Sequence, residues 1–209
     1  SEFEQAGLSV RLDTADNLIG WREGGQAGLR PLVVGSHSDT VPDGGRFDGI
    51  AGVLAGLEVA QSLRDNGVEL RHPLEVVDFL AEEPSVFGMS CVGSRISGGH
   101  LSRDDLEITE PGGETLAEAI RRMGGDPDRL KDAVRPAGSV AAYTELHIEQ
   151  GVRLQTGGIP IGNVTGIVGI TRYAVTIEGR ADHAGNTSMD MREDALAAAA
   201  RLGLRTEQE

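Results

Sequence analysis

The stretch Pro31-Leu-Val-Val-Gly-Ser-His-Ser-Asp39 decides how this chain folds. Its first half is a short apolar run ended by Gly, which predicts a buried strand over Pro31–Gly35. The strand opens directly onto His37-Ser38-Asp39 and a loop rich in Gly, Asp and Pro that lasts to Gly49. Ile50–Leu63 then has the small-and-apolar spacing of a buried helix. Leu74–Leu80 (LEVVDFL) reads as a second buried strand. Strand, helix, strand predicts a right-handed crossover. The expected fold is therefore α/β, a mixed, mainly parallel sheet with flanking helices.

Outward from this centre, SEFEQAGLSV reads as the end of a helix running into a strand. Leu8–Leu12 alternates as a strand does, with Asn17–Trp21 as a short partner. The polar stretch Thr109–Arg135, with a helical piece at Leu116–Met123, is expected to cover one side of the sheet. Tyr143–Glu149 alternates cleanly and predicts a strand. Leu146 and Ile148 would lie on one face of it, and Glu145, His147 and Glu149 on the other. Gly157–Gly169 reads as a crossing between domains. Thr171–Glu178 predicts a strand and Met191–Leu204 an Ala-rich amphipathic helix. The expected organisation is a first domain over 1–168 and the beginning of a small α+β domain over 169–209. Roughly 40 residues are too few to close a core alone.

Composition narrows the class. Hydrophobic residues are 39% of the 209 and charged residues 25%, the balance of a soluble globular chain,. Aromatics are 3%, so the core must rest on Val, Leu, Ile and Ala. A net charge of −14 opposes nucleic acid and anionic membrane surfaces as partners,. The single cysteine, Cys91, excludes an intrachain disulfide and favours a reducing compartment,. No apolar run is long enough to span a membrane, and the first residues resemble no signal peptide. A cytoplasmic protein is expected.

The residues able to do chemistry follow the strands, where ligands gather in open α/β sheets. His37 can bind a cation through one ring nitrogen while Asp39 accepts from the other; a surface turn is the bland alternative. Asp48 can bridge two cations with its two oxygens, and flanking glycines let the backbone come close; it is equally a good helix cap. Glu82 and Glu83 are adjacent carboxylates after the second strand, and they repel unless a cation or proton relieves them. One can bind metal while the other serves as general base; a solvated acidic turn is the alternative. His147 would share this sheet edge. Nitrogen and oxygen ligands without thiolate suit Zn, Mn, Co or Ni. Cys91 reads as a buried small residue, and His72 and His100 as structural.

Four linked stretches, GSHSDTVPDGGRFDGIAGVLAGLEV, FLAEEPSVFGMSCVGSR, ELHIEQG and GRADHAGNTSMDMREDAL, closely resemble the amidase branch of the M20 metallopeptidase superfamily. That branch holds N-carbamoyl-L-amino acid hydrolases, allantoate amidohydrolases and β-ureidopropionases. The resemblance implies a zinc-peptidase-like catalytic domain followed by a lid and dimerisation domain. It also implies two divalent metal ions. His37, Asp48 and His147 would hold one, with Asp48 bridging, and Asp48 and Glu83 the second. Glu82 would be the general base, Asp39 would orient His37, and Gln150 would line the substrate site. His183 would stabilise the oxyanion of the tetrahedral intermediate, from one subunit of a homodimer into the site of the other. The expected substrate is a small N-carbamoyl or ureido compound whose C–N bond is hydrolysed. Family members extend further on both sides, and their later part supplies a last histidine to the second metal, so that site is expected to be incomplete here. Two other readings stand beside this one: an aminoacylase or dipeptidase of the same superfamily, against which His147 argues, and a catalytically inactive, truncated metal-binding fragment.

Overall fold

The computed structural model describes residues 1–169 and 171–208. It divides into two compact units, Ser1–Pro160 and Ile161–Glu209.

The first unit is built on a five-stranded sheet. A short helix, α1 (Glu2–Gln5), leads into the strands β1 (Ser9–Leu12) and β2 (Leu18–Arg22). Then come β3 (Leu32–Ser36), the long helix α2 (Ile50–Asp65), β4 (Leu74–Asp78) and, much later, β5 (Ala142–Thr144). The spatial order is β1-β2-β4-β3-β5. β3 runs parallel to β4 and to β5, while β2 is antiparallel to both β1 and β4. Four strands therefore point one way and only β2 the other, so the sheet is mixed and mainly parallel, as the sequence predicts.

Side-chain alternation on the central strand assigns both faces. Val76 of β4 joins Phe3, Leu8, Val53, Leu57, Ala60 and Leu74 in one cluster. Val77 packs to the other side with Ile19 and Val33. Being covered on both faces explains why successive residues Leu74 to Val77 of β4 are all buried,. α2 lies on the first face, and Gly56 sets its approach. A Cβ there would come within 2.9 Å of Val76 and 3.1 Å of Val34. Beyond β4, α3 (Val92–Ser97), α4 (Arg103–Leu106) and α5 (Leu116–Met123) follow. Val92, Ile96, Leu116 and Ile120 close a further cluster with Ala15 and Ala133. α5 begins where expected because Thr115 and Glu118 form a capping box,. A short helix α6 (Arg153–Gly157) closes the unit.

Three expectations change. The strand expected over Tyr143–Glu149 is only Ala142–Thr144, and His147 lies beyond its end. Among the described residues its strand partner is β3, and that pairing ends at Val34 with Thr144. The following backbone leaves the sheet and runs over α2 at Gly52, where a Cβ would fall 2.3 Å from the Leu146 carbonyl oxygen. Thr171–Glu178 forms no strand among the described residues, and Tyr173 and Val175 are exposed. Alternation makes a strand only where a neighbour takes its backbone hydrogen bonds, and none of the described residues does so here. The last helix, α7 (Ala195–Gln208), starts later and ends later than Met191–Leu204. The Asp194 carboxylate accepts from the Ala197 amide and caps it, while Met189–Met191 forms a separate 3₁₀ turn,. Among the described residues no helix is long and apolar enough to cross a membrane.

One charge sits inside this frame. Glu75 of β4 is 3% exposed and is paired by the Arg135 guanidinium. The Arg135 amide also donates to Ser97 O at 2.8 Å, tying the segment after the 3₁₀ helix Pro127–Ala133 to α3. Arg135→Met leaves the buried carboxylate without its cation. It is expected to lower unfolding free energy by about 3 kcal/mol, and adding Glu75→Leu should restore most of that. Urea titration of the two variants checks this.

Candidate metal centre

The centre forms where β3, the start of α2, the turn after β4 and the segment after β5 meet. Ser36 ends β3, His37 follows it, and both are 1% exposed. His37 Nδ1 lies 2.9 Å from the Asp39 carbonyl oxygen. A carbonyl only accepts, so Nδ1 carries the hydrogen and Nε2 presents a lone pair. The ring is seated against Gly49, the residue before α2. There φ is +65° and a Cβ would fall 2.2–2.5 Å from three ring atoms. Both the backbone angle and the space demand glycine.

His147 is arranged in the same way. Its Nδ1 lies 2.9 Å from the Ile148 carbonyl oxygen, which in the neutral ring leaves Nε2 as a lone pair,. Nε2 faces Asp48 Oδ1 at 3.3 Å. That oxygen is buried and has no hydrogen-bond partner. Two acceptors thus face each other with no hydrogen between them, an arrangement that a cation relieves. Ligand atoms of His37, Asp48 and His147 all lie within 4.8 Å of one another, as do those of His37, Glu82 and Glu83. The donor set is nitrogen and oxygen, with no thiolate, and fits a borderline or hard divalent ion.

The Glu82–Glu83 turn is held from below. Asp39 takes the Glu82 amide at 3.1 Å and the Glu83 amide at 3.0 Å on its two carboxylate oxygens. Its carboxylate stands 3.4 Å from His37 Nδ1, so its hold on that ring runs chiefly through its own carbonyl. Ala81 carries φ +45°, and amides of Cys91, Val92 and Gly93 bind the carbonyls of Glu82, Ala81 and Leu80 around it. Fully buried Asn17 accepts from the Leu80 amide at 3.0 Å and donates to Asp13 and Ser97. The Cys91 thiol donates to Glu82 Oε1 at 3.3 Å, and burial raises its pKa and keeps it a thiol. Burial, then the charges of Asp48 and Glu82, pushes the Glu83 carboxyl above its ordinary value. His37 Nε2 lies 3.6 Å from Glu82 Oε2.

A second set of bonds joins the two histidine segments. Ser36 Oγ is 2.9 Å from both Gly49 O and Glu145 Oε1, and Tyr143 OH donates to Glu145 Oε2 at 3.0 Å. Burial and the Glu145 charge raise the Tyr143 phenol. Gln150 donates from Nε2 to Asp48 Oδ2 at 2.8 Å. The structure thus brings together His37, Asp39, Asp48, Glu82, Glu83, His147 and Gln150. Asn17, Ser36, Tyr143 and Glu145 join them without having been singled out from sequence. Glu145 had one available sign, its place on the His147 face of the alternating run. His183 belongs to the second unit. Its Nδ1 accepts from the amides of Gly185 and Asn186 at 3.0 and 3.1 Å, so its Nε2 carries the hydrogen. It lines a cavity of about 380 Å³ with Arg180, Asp182 and Arg192.

A mixed α/β sheet with nitrogen and oxygen ligands at its strand ends defines the class, and comparison with known proteins gives the family. The profile of peptidase family M20/M25/M40 matches residues 33–209, and the chain belongs to that family. It is 48% identical over its whole length to an N-carbamoyl-L-amino acid amidohydrolase of Geobacillus stearothermophilus, covering 51% of that protein. It is 38% identical over 203 residues, 97% of this chain, to an allantoate amidohydrolase of Bacillus subtilis, covering 49% of it. A hydantoinase/carbamoylase family amidase from Burkholderia ambifaria superposes with a TM-score of 0.78 at 38% identity, over 99% of this chain and 50% of that one. The chain spans about half the length of the curated relatives it matches.

Gly49→Ala is expected to push the His37 ring off its seat and weaken Zn²⁺ binding at least about tenfold, since a ligand misplaced from its geometry loses most of its contribution. Gly67 has a similar φ of +62° with open space around it. Gly67→Ala should therefore carry only the backbone strain, about 1 kcal/mol of stability, and leave metal affinity unchanged. Calorimetric titration of both variants separates the two effects.

Proposed function

We propose that the chain is the metal-holding part of a metal-dependent amidohydrolase that cleaves a carbamoyl or ureido C–N bond. The observation that carries this is the bare Asp48 Oδ1 facing the lone pair of His147 Nε2 at 3.3 Å. The names of the amidohydrolase relatives supply the substrate class: a small N-carbamoyl amino acid, allantoate or a related ureido compound.

In this reading residues 1–168 are the catalytic domain and 169–209 the beginning of a lid that also forms a homodimer. His37, Asp48 and His147 hold one divalent ion, and Asp48 and Glu83 contribute to a second. Ions held there supply Lewis acidity and make water easier to deprotonate. Glu82, its turn fixed by the Asp39 carboxylate, takes the proton from the attacking water and returns it to the departing nitrogen. His183 offers Nε2–H to the oxyanion of the tetrahedral intermediate. Gln150 lines the substrate site. The setting is cytoplasmic, in keeping with one unpaired thiol.

A second reading follows from the span of the chain, about half that of its relatives: a metal-binding piece without turnover of its own. The 209-residue chain is tested by metal content per chain and by ammonia release from N-carbamoyl-L-amino acids and allantoate with added Mn²⁺ or Zn²⁺. About two ions with turnover supports the enzyme reading for the chain itself. Glu82→Gln should then cut kcat by at least about a hundredfold with metal content unchanged. One ion without turnover selects the second reading. Metal content that is nil, or unaffected by His37→Ala, sinks the site assignment.

A further inference from the structure

The two oxygens of Asp48 are treated differently. Oδ1 is buried, without a hydrogen bond, and faces the His147 imidazole. Oδ2 is already satisfied, by the Gln150 side-chain amide at 2.8 Å. That amide is delivered from an unusual backbone: Gln150 has φ +55°, a conformation that few residues other than glycine adopt,. Its neighbour Glu149 is engaged elsewhere, accepting from the amides of Arg153 and Leu154 at the start of α6. The segment therefore holds a strained residue whose side chain reaches across 102 positions of sequence to one carboxylate oxygen.

We propose that Gln150 is a positioning residue that competes with a second cation for Asp48 Oδ2. This rests on the reading of Asp48 as a ligand shared by two ions. The Oδ1 side is ready to accept an ion without displacing any donor. An ion on the Oδ2 side must first displace the Gln150 amide. The two sites consequently load in order, and the amide is released into the site only when the second ion arrives. A hydrogen bond to a charged acceptor contributes enough to weaken the second site by about tenfold or more.

Calorimetric titration of Mn²⁺ into the metal-free full chain tests this, beside Gln150→Met, which keeps the side-chain length without the donor, and Gln150→Gly, which also relieves the backbone. In both variants the weaker site should tighten by about tenfold and the tighter site stay unchanged. If the wild-type chain takes up a single ion, a second binding event should appear in the variants. In the wild-type chain the Gln150 amide proton resonances should move with the second equivalent of a diamagnetic ion, Zn²⁺, and not with the first. An unchanged or weakened second site in Gln150→Met overturns the proposal while leaving the metal reading intact. A wild-type chain that binds no ion overturns the metal reading itself.

Discussion

The approach of Asp48 Oδ1 to His147 Nε2 is the constraint on which the rest of the site depends. With the imidazole neutral both atoms are acceptors, and Asp48 Oδ1 is buried without a hydrogen-bond partner. Left so, the pair opposes folding, because a buried acceptor without a partner costs roughly 1–3 kcal/mol. The surrounding bonds all keep this opposition in place. Each histidine gives its Nδ1 hydrogen to a carbonyl and so cannot rotate into a satisfied state without losing that bond. Asp48 cannot swing away freely because Gln150 holds its other oxygen.

Close backbone approach makes the arrangement possible. Three glycines at the start of α2 act in succession. Gly49 seats the His37 ring, Gly52 admits the Leu146 carbonyl, and Gly56 lets the helix settle on Val34 and Val76. The helix is thereby drawn onto β3 and β4 with its first turn against the site. The histidine after β3 and the one after β5 then meet with ring centroids 5.8 Å apart. Packing and ligand geometry are set by the same missing side chains. A substitution that loosens the packing at this end of α2 also moves the ligands.

Much of this was legible in the sequence because the candidate ligands follow buried strands, and buried strands are a strong pattern in the chain. PLVVG before His37 and LEVVDFL before Glu82 place two ligand groups at one sheet edge with little ambiguity. What was not legible depends on long-range partners. The alternation of Tyr143–Glu149 continues past Thr144, but the backbone there leaves β3, whose last residues Gly35 and Ser36 pair with β4 alone. His147 reaches the site from irregular backbone, supported by Glu145 and Ser36 across 109 positions. Asn17, in a turn-like DTADN stretch, gives no local sign that it will bind the Leu80 amide. Asp39 looks in sequence like a partner for His37 two residues away, whereas its carboxylate is taken by amides of Glu82 and Glu83 some forty residues on. Thr171–Glu178 has a strand's pattern without a strand's neighbour. A pattern of period two records which faces a segment prefers, and says nothing of whether a partner is present to pair with it.

The charge balance at this edge gives the architecture its direction. Asp39, Asp48, Glu82 and Glu83 converge in a chain whose net charge is −14. Their mutual repulsion shows in Glu83, whose carboxyl is pushed up by burial and by the charges of Asp48 and Glu82. Asp39 accepts from two backbone amides, Asp48 from the Gln150 side-chain amide and Glu82 from the Cys91 thiol, while no cationic side chain among the described residues pairs with them. Backbone hydrogen bonds and glycine contacts hold them against repulsion, and a divalent ion would convert that repulsion into attraction. Binding energy released there is also folding energy for the loops that carry the ligands. Segments 37–49, 80–91 and 145–150, which carry the candidate ligands and lie outside the strands, would gain order from an ion,. Stability in this unit would then be divided: sheet and helices are secured by apolar packing, while the edge proposed as the metal site would depend on what it binds.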